Sequence, residues 1–393
     1  MLCVASYEKG QEFIRECRRL GCRVLLLTAE KLRDADWPRE AIDDIFYLPD
    51  NLGREELLKG VSWLAGREVI DRIVALDDFD VEKGALLREH LRVAGMGETT
   101  ARYFRDKLAM RMRARNRGIR VPDFVHVLND HAIRDFTVRV PPPWLVKPRS
   151  QAAAIGIRKV NSADELQRVI EELGDERSFH LIEKYVPGEI FHVDAITAER
   201  TVVFAAAHQY AEPPMDVAHH GGIFVTSTMR WDDDLTEALL RENERLMATL
   251  GMVRGVTHTE FIRGNNDGEL YFLETSARVG GAFIVEVVEA ATGVNLWREW
   301  ARLEEAGEEG QYEAPPFQRR YAGIVLSLAR QATPDTSAYD DAEIVARVRK
   351  PHHAGLIVAS ADRDRVATLL DDYTRRFSDD FYASAPLPDK PSA

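Results

Sequence analysis

Residues 256–281 read VTHTEFIRGNNDGELYFLETSARVGG, and this stretch is the most informative part of the chain. Two apolar runs flank a segment rich in Gly, Asn and Asp, a pattern that predicts a β-hairpin. If its turn is centred on Asp267, Glu260 lies directly opposite Glu274, with Cβ atoms about 4.5–5.5 Å apart. Two carboxylates at that distance repel each other. The sequence therefore predicts either a cation between them or two solvated glutamates at a sheet edge.

The residues around these two glutamates favour a site that binds a cation and phosphate together. Oxygen-only ligation by Glu260 and Glu274 suits Mg²⁺ or Mn²⁺ carrying phosphates. Arg278 and a Gly280-Gly281 step follow, just before a predicted helix. A bidentate cation and free backbone N–H groups at that point would stabilise a phosphoryl or acyl-phosphate charge. A Gly-Gly step is equally typical of an ordinary turn, and a one-residue slip would separate the two glutamates onto opposite faces.

Two lysines upstream are further candidates for anion binding. Lys147 follows three apolar residues and is held extended by Pro148, so its ammonium is expected to face a cleft. Lys107 begins a predicted helix, where the helix dipole disfavours a cation unless an anion is near. The small-residue segment 149–157 could close over phosphates through its backbone N–H groups. Residues alone do not separate these roles from surface lysines and an ordinary strand turn.

The flanking regions predict the domain organisation. In the first hundred residues, short apolar runs alternate with amphipathic ones, which predicts parallel βαβ units with a covered sheet. The first strand leads into Ser6-Tyr7-Glu8-Lys9-Gly10 rather than a glycine-rich dinucleotide turn. Beyond residue 306, apolar strands and a helix predict a small α+β domain. A disordered Pro-rich tail, Ala385–Ala393, is expected after it.

Composition excludes several classes of function. The chain has 393 residues with 52 basic and 65 acidic side chains, a net charge of −13 that argues against a general nucleic-acid or anionic-membrane binder. No apolar stretch approaches the roughly 18–20 residues of a membrane span. The first residues lack the features of a signal peptide. Cys3, Cys17 and Cys22 match no zinc or disulfide pattern, so we expect reduced thiols and a cytoplasmic protein.

A run of seven basic residues could form a patch for nucleic acid or an acidic carrier protein. Its members are Arg105, Lys107, Arg111, Arg113, Arg115, Arg117 and Arg120. They fall on different faces of a predicted helix, and no aromatic residue interleaves with them after Phe104. The run therefore favours a solvated helix.

The order of these features resembles the ATP-grasp superfamily, in the branch of carboxylate–amine and L-amino-acid ligases. The matching pieces are Asp106-Lys107, Lys147-Pro148, the loop to Gly156, the segment 183–189 (EKYVPGE), Glu260, and the segment 274–281. The resemblance implies a multidomain fold of α/β and α+β type. It places an N-terminal parallel α/β domain over 1–100, an ATP-grasp domain over 101–305 (subdomains 101–177 and 178–305), and a C-terminal α+β domain over 306–393.

The resemblance implies a role for each matched residue. The ATP phosphates would be bound by Lys107, Lys147, Ala154 and Gly156. Adenine would be bound by Glu183, Lys184 and Val186, and the ribose hydroxyls by Glu189. The ligands of Mg²⁺ (or Mn²⁺) would be Glu260, Glu274 and Ser276. Arg278 would stabilise the acyl phosphate, and substrate would contact Gly280, Gly281, His208 and Tyr210.

Two departures from the family pattern affect this assignment. Ser276 stands where the family usually has Asn, and a hydroxyl reaches less far than an amide, so a second metal ion would be weakly held or water-mediated. The phosphate loop carries Ala152-Ala153-Ala154 where Gly and Ser are usual. Backbone donors survive that change, whereas side-chain donors do not.

The resemblance implies a carbon–nitrogen ligase of EC 6.3 type that uses ATP to activate a carboxylate as an acyl phosphate and joins it to an amine. Its partners would be small-molecule carboxylates and amines, of the amino-acid or dipeptide kind, with a homodimer possible and no nucleic acid or membrane. A carboxylase using bicarbonate is one alternative, although residues 205–210 (AAAHQY) lack a basic, glutamine-containing bicarbonate cluster. A catalytically degenerate ATP-binding protein is the other. The polar stretch Tyr210–Phe224 is expected to face substrate.

Overall fold

The computed structural model describes residues 1–49, 52–152, 154–307 and 312–384. The tail predicted to be disordered, Ala385–Ala393, lies outside the described residues. Three sheets organise the described chain: a four-stranded parallel sheet, a four-stranded antiparallel sheet and an eight-stranded antiparallel sheet. The predicted combination of α/β and α+β architecture is confirmed.

The N-terminal sheet is parallel, with strand order β3-β2-β1-β4. Its strands are β1 (Leu2–Ala5), β2 (Leu25–Ala29), β3 (Asp44–Leu48) and β4 (Ile73–Ala75). Its helices are α1 (Gln11–Arg19), α2 (Arg54–Ala65), α3 (Val81–Leu91) and α4 (Glu98–Arg102). Strand β1 is buried on both faces, as expected from its apolar sequence. Strands β2 and β4 lie on opposite sides of β1, and a crevice forms where the strand order reverses, at the carboxyl ends of β1 and β4.

The small antiparallel sheet has strand order β5-β8-β6-β7. Its strands are β5 (Phe124–His126), β6 (Trp144–Pro148), β7 (Arg158–Val160) and β8 (His180–Lys184). The helices of this region are α5 (Lys107–Asn116), α6 (Asp130–Arg139) and α7 (Ala163–Leu173). Trp144, Val146 and Ile182 pack into a core on one face of this sheet. Because side chains alternate along a strand, Leu145, Lys147 and Glu183 lie on the other face, toward the cleft described below.

The large sheet has strand order β13-β12-β9-β10-β11-β14-β16-β15. Its strands are β9 (Gly188–Ala198), β10 (Thr201–Tyr210), β11 (Phe224–Thr228), β12 (Gly255–Gly264), β13 (Leu270–Ser276), β14 (Tyr321–Leu328), β15 (Ile344–Arg347) and β16 (His353–Ser360). The helices are α8 (Pro214–His220), α9 (Asp234–Leu250), α10 (Ile284–Thr292), α11 (Leu296–Ala306) and α12 (Arg363–Asp380). Strand β14 pairs with β11, so strands on both sides of residue 306 form one sheet.

The two faces of the large sheet have different surroundings. Phe191 and Val193 on β9 share a core with Leu246 and Met247 of α9. The alternate residues of β9, among them Asp194, point to the opposite face. That face carries buried polar side chains near the cleft. Among the residues that the structure describes, no helix is both long enough and apolar enough to cross a membrane.

Candidate active site

A cavity of about 690 Å³ lies where the three sheets meet. Its walls come from the loops after β1 and β4, the start of α5, the small sheet, the β12–β13 hairpin and the loop before α10. Residues 213–218, at the start of α8, close one side, so the stretch predicted to face substrate does face the cleft. All of the candidate ATP and metal residues described below, with the exception of Gly156 and Glu189, line this cavity.

The two hairpin carboxylates face each other as predicted. Glu260 on β12 pairs directly with Glu274 on β13, and Ser276 follows at the end of the same strand. A β-bulge between Glu260 and Phe261 shifts the register by one residue on the turn side. The bulge leaves the predicted pairing intact where the carboxylates lie. Both glutamates and Ser276 line the cavity.

Lys107 and Glu274, which we call the Glu274 pair, form an ion pair at the cleft. The Lys107 ammonium lies 3.0 Å from Glu274 Oε2 and donates to the Gln151 carbonyl at 2.7 Å. Burial of the Glu274 carboxyl opposes its ionisation, but Lys107 above all lowers its pKa to about 2. The Asp106 side chain caps α5 by accepting from the N–H groups of Leu108 and Ala109. These two anions explain how a lysine is tolerated at a helix start.

Lys147, Glu183 and Arg111, which we call the Glu183 triad, form a second and deeper ionic group. Lys147 Nζ lies 2.5 Å from Glu183 Oε1, and Arg111 Nε donates to Glu183 Oε2 at 2.8 Å. Burial of the Glu183 carboxyl raises its pKa, but Arg111 and Lys147 outweigh burial and keep the pKa below its usual range. The triad carries one surplus positive charge at the cleft.

The expectation of a solvated basic helix is wrong for three members of the run. Arg105, Lys107 and Arg111 are buried, because each meets a carboxylate across an interface: Asp78, Glu274 and Glu183 respectively. The spacing held a signal that could have found Arg111, since it lies four residues after Lys107 and therefore on the same helix face.

The segment that begins at the end of β8 lines the cleft, and two of its backbone N–H groups are paired. The Lys184 N–H donates to Asp123 O at 2.7 Å and the Tyr185 N–H to Pro143 O at 3.0 Å. Lys184 Nζ donates to the Pro141 carbonyl at 2.6 Å. Within the described chain, the Val186 N–H makes no backbone hydrogen bond, and Val186 lines the cavity.

Glu189 does not project into the cleft. Its strand neighbours Gly188 and Ile190 both line the cavity, and side chains alternate along a strand, so Glu189 points to the other face. There it is exposed and accepts a hydrogen bond from Gln209 Nε2 at 3.0 Å. The structure therefore gives the predicted ribose role of Glu189 no geometric support.

The small-residue loop is anchored at both ends. Arg149 forms an ion pair with Asp106, and the Lys107 N–H donates to Arg149 O at 2.8 Å. His219 of α8 donates through Nε2 to the Ala154 carbonyl at 3.1 Å. Residue 153 of the predicted phosphate loop lies outside the described residues. At Gly156 φ is +73°, and a Cβ there would lie 2.9 Å from Pro148 Cγ, so the turn requires glycine.

The loop before α10 presents an arginine to the cavity. Arg278 Nη1 donates to the Val279 carbonyl at 2.6 Å, while its buried Nε has no hydrogen-bond partner in the described chain. Gly281 also lines the cavity, whereas Gly280 is buried. Ala282 and Phe283 then adopt positive φ values of 51° and 62° before α10 begins at Ile284. Such strain is typical of loops held for function.

The cleft floor rests on four residues that we call the His–Asp cluster: the fully buried His192, Asp194 and His208, and His258, which lines the cavity. Asp194 Oδ2 accepts from His192 Nδ1 at 2.7 Å, and Asp194 Oδ1 accepts from His258 Nδ1 at 2.9 Å. Only His208 was among the sequence candidates. The alternation His192-x-Asp194 and His258-x-Glu260 along two strands was a signal that could have found the others.

Burial and pairing act in opposite directions on the pKa values of this cluster. Burial lowers the pKa of His208 to about 3 and also lowers that of His192. Burial opposes charge on His258 too, but Asp194 and Glu260 raise its pKa to about 9. Burial likewise opposes charge on Asp194, yet His258 and His192 hold the Asp194 pKa far below its usual range. An ionic pair of Asp194 and His258 results.

The two candidate substrate residues on β10 are placed differently. Tyr210 lines the cavity, and its hydroxyl donates to Glu260 Oε1 at 3.1 Å. His208 is fully buried and stacks on His192 with ring centroids 4.8 Å apart, so it lies one layer below the cavity. The structure therefore brings Tyr210, but not His208, to the predicted site.

Sequence reasoning missed the cavity residues that lie outside the range 101–305. The loops after β1 and β4 supply Lys9, paired with Asp77 at 2.6 Å, and Asp78, paired with Arg105 at 2.5 Å. Lys350, between β15 and β16, also reaches the wall. No short motif marks these residues.

Comparison with known proteins finds a domain match that contains most of this site. Residues 140–286 match the ATP-grasp domain family. Over 234 residues the chain is 27% identical to the L-arginine-specific L-amino acid ligase of Bacillus subtilis, a match covering 58% of this chain and 56% of that protein. It is 26% identical over 236 residues to the D-alanine–D-alanine ligase of Neisseria gonorrhoeae (strain NCCP11945), covering 54% of this chain and 71% of that enzyme.

The fold is similar over almost the whole chain to a solved structure. The L-amino acid ligase from Bacillus licheniformis superposes with a TM-score of 0.73 at 19% identity, covering 98% of each chain. The family match spans Lys147, the Glu183 segment and both hairpin carboxylates. Residues 140–286 of this chain therefore form an ATP-grasp domain, and the chain has relatives among the L-amino acid ligases and the D-alanine–D-alanine ligases.

Proposed function

We propose that this chain is an ATP-dependent ligase that activates an amino-acid carboxylate as an acyl phosphate and joins it to the amine of a second amino acid. The observation that carries the proposal is the pairing of Glu260 with Glu274 beside Arg278 and two lysines in one cavity. The named relatives act on amino acids, which supports amino acids as substrates here. That support extends over only about half of the first relative's length.

The donor set fits a hard divalent cation. Glu260, Glu274 and Ser276 offer only oxygen atoms and all line the cavity. Burial raises the pKa of Glu274, but nearby cations, Lys107 above all, lower it by more. The carboxylate is therefore ionised and can bind a cation. Mg²⁺ or Mn²⁺, when bound, would neutralise charge on the phosphate oxygens.

We assign ATP to the part of the cavity between the small antiparallel sheet and the large sheet. The Val186 N–H is a donor for adenine, and Leu145 and Ile262 give apolar walls. The surplus positive charge of the Glu183 triad, through Lys147, faces the phosphates. Lys107 contacts the same phosphates when its ammonium shifts from Glu274. We assign no ribose contact to Glu189, because its side chain lies on the opposite sheet face.

The chemistry is an ordered pair of substitutions. A carboxylate oxygen attacks the γ-phosphorus, an O–P bond forms, the bond to the bridging oxygen breaks, and ADP leaves. The amine nitrogen then attacks the acyl carbon, the C–O bond to phosphate breaks, and inorganic phosphate leaves as the nitrogen loses a proton to solvent. Arg278 stabilises the charge that develops in both steps. The protein contributes positioning and charge rather than a covalent intermediate.

The proposal is tested by ADP and phosphate release with Mg-ATP and amino acids, supplied singly and in pairs. Release that requires two amino acids, with a dipeptide detected by mass spectrometry, supports it. Bicarbonate forms a separate arm, and bicarbonate-dependent ADP release would replace the proposal with a carboxylase. If ATP raises the melting temperature but no carboxylate and amine pair releases ADP, the chain is an ATP-binding module instead.

A further inference from the structure

The His–Asp cluster occupies a defined place beneath the two active-site elements. Strand register sets Asp194 opposite His258 and His192 opposite Glu260. Asp194 and His192 are fully buried, and His258 is nearly so. A buried carboxylate at this depth requires partners for both of its oxygens. Both have them within the described chain, one from His192 and one from His258.

Hydrogen bonding fixes the orientation of the two imidazoles. Since a carboxylate only accepts, the Nδ1 of each ring must carry a proton toward Asp194. His258 then directs Nε2 at the cleft floor, 3.7 Å from Glu260 Oε1 and 3.4 Å from the Tyr210 hydroxyl. Asp194 is therefore linked to Glu260 through one intervening ring, which lies at ion-pair distance from Glu260 Oε1, while the Tyr210 hydroxyl donates to the same oxygen at 3.1 Å.

The same carboxylate also lies close to Gly280, in the loop that carries Arg278. A Cβ on Gly280 would lie 3.0 Å from Asp194 Oδ1 and 2.7 Å from Ile284 Cγ2. The backbone between Arg278 and α10 thus runs directly against Asp194. A side chain at position 280 would clash with Ile284 and crowd Asp194, so glycine is the residue that fits here.

The cluster is better described as a hydrogen-bond network than as a second metal site. Ligand atoms of His192, Asp194 and His258 lie within 4.8 Å of one another. However, the N–O separations of 2.7 and 2.9 Å are hydrogen-bond lengths, and His192 Nε2 lies 2.8 Å from Thr226 Oγ1. These ring nitrogens already have partners.

We propose that Asp194 is a positioning residue that sets two parts of the active site at once: the metal-facing carboxylate of Glu260, through His258, and the Arg278 loop, through Gly280. This inference rests on the proposed function, since it assumes that Glu260 ligates a metal ion. Groups that hydrogen-bond to metal ligands hold those ligands in place, and their loss typically costs about 10–100-fold in metal affinity or activity.

The test compares Asp194→Asn with wild type and with Thr226→Val. The asparagine is isosteric but cannot accept from both imidazoles. Thr226→Val removes the hydrogen bond to His192 at the same depth, without touching His258 or Gly280. Mn²⁺ binding is titrated by electron paramagnetic resonance in the presence of a non-hydrolysable ATP analogue. Amide hydrogen exchange is followed over residues 278–283.

For Asp194→Asn we expect Mn²⁺ affinity to fall about 10–100-fold and exchange over 278–283 to rise, with circular dichroism unchanged. Thr226→Val should keep the Mn²⁺ affinity of wild type within about threefold. A folded Asp194→Asn protein with wild-type affinity and exchange overturns the inference. Equal loss of affinity in both variants also overturns it, because the effect would then be general to the cluster.

A second variant covers the case in which Asp194→Asn does not fold. His258→Asn keeps a donor near Asp194 but removes the ring beneath Glu260, so Mn²⁺ affinity should fall by a similar factor while exchange over 278–283 stays low. Unchanged affinity in this variant overturns the inference. If wild type itself binds no Mn²⁺ with the ATP analogue, the metal site of the proposed function fails, which is a different result from wild type binding and the variants matching it.

Discussion

The Glu274 pair and the Glu183 triad use the same residue types, yet their surroundings differ. The Glu183 side chain is 2% exposed and has a cation on each oxygen. The Glu274 side chain is 34% exposed, has one lysine on one oxygen, and faces a second carboxylate. In the first group, both Glu183 oxygens therefore already have a cation, and the group presents only its surplus positive charge, through Lys147, to the cleft. The second has one oxygen free of lysine and is open to a cation from solution.

This difference gives the two ionic groups different roles in the cleft: the Glu183 triad provides a fixed charge, and the hairpin carboxylates provide ligands. In the triad, two cations and one anion leave a surplus positive charge that stays in place with or without ligand. At the hairpin, Glu260 and Glu274 with Lys107 leave a surplus negative charge. A nucleotide with its metal ion brings charge of the opposite sign to each. The cleft is therefore complementary to a metal–phosphate unit before that unit arrives.

Replacing the anion of the triad should give the largest loss of stability. Glu183→Gln leaves Lys147 and Arg111 buried beside each other without a compensating charge. Breaking a buried ion pair in this way typically costs about 3–5 kcal/mol of unfolding free energy. Urea unfolding of the variant and wild type measures it. A loss below about 1 kcal/mol would mean that water or another group already compensates these cations. The Glu183 triad would then not be the more stabilising of the two ionic groups.

The matched change at the hairpin should affect turnover instead. Glu274→Gln keeps the shape but removes a charged ligand, so we expect ADP release to fall about 10²–10³-fold, as when one electrostatic contact to the transition state is removed. Unfolding free energy should fall by less than in Glu183→Gln, by about 1–2 kcal/mol, because Lys107 is buried but keeps its hydrogen bond to the Gln151 carbonyl, and the Glu274 side chain is partly solvated. Parallel urea and ADP-release assays separate the two effects. Unfolding of this variant under native conditions would make Glu274 a structural residue.

The hairpin was predictable because its information is local. A Gly-rich turn and two alternating runs fix which residues oppose each other, and Glu260 does face Glu274. The bulge after Glu260 was not predictable, since β12 also has to match β9 on its other side. The face of Glu189 was not predictable either, because it depends on where the alternation of β9 starts.

Partners separated in sequence account for the rest of the site. Glu183 meets Lys147 through pairing of β6 with β8, and meets Arg111 through the packing of α5. Without those contacts, a buried arginine within a basic run is indistinguishable from a solvated one. The ATP-grasp domain could nonetheless be predicted, because the order and spacing of its motifs can be read directly from the sequence.

The His–Asp cluster shows how a weaker ionic contact affects the pH dependence of folding stability. His258 donates to Asp194 at 2.9 Å, whereas His208 Nδ1 lies 3.8 Å from Asp194 Oδ2 and neither His208 ring nitrogen has a hydrogen-bond partner within the described chain. Burial lowers the pKa of His208 to about 3, so the unfolded state binds its proton first as pH falls. Between about pH 6.5 and 3 the folded state should therefore lose up to about 1.4 kcal/mol per pH unit from this residue.

Urea unfolding at pH 7 and pH 5 of wild type and His208→Gln isolates this contribution. The glutamine does not titrate, so the variant should lose less stability than wild type on going to pH 5. Identical losses in the two proteins would show that His208 takes up no proton on unfolding. A steeper loss in the variant would contradict the sign of the pKa shift.

The smallest expected change adds a ligand on the open side of the comparison. Ser276 ends β13 at the cleft, and its hydroxyl reaches less far than an amide oxygen. Ser276→Asn should therefore lower the half-saturating Mg²⁺ concentration by less than about tenfold, equivalent to less than about 1.4 kcal/mol, since a hard cation gains one more oxygen ligand. Mg²⁺ titration of ADP release measures this, with Ser276→Ala as the matched control that removes the hydroxyl. If Asn and Ala shift the Mg²⁺ response equally, residue 276 contributes no ligand, and Glu260 and Glu274 alone define the open side of the cleft.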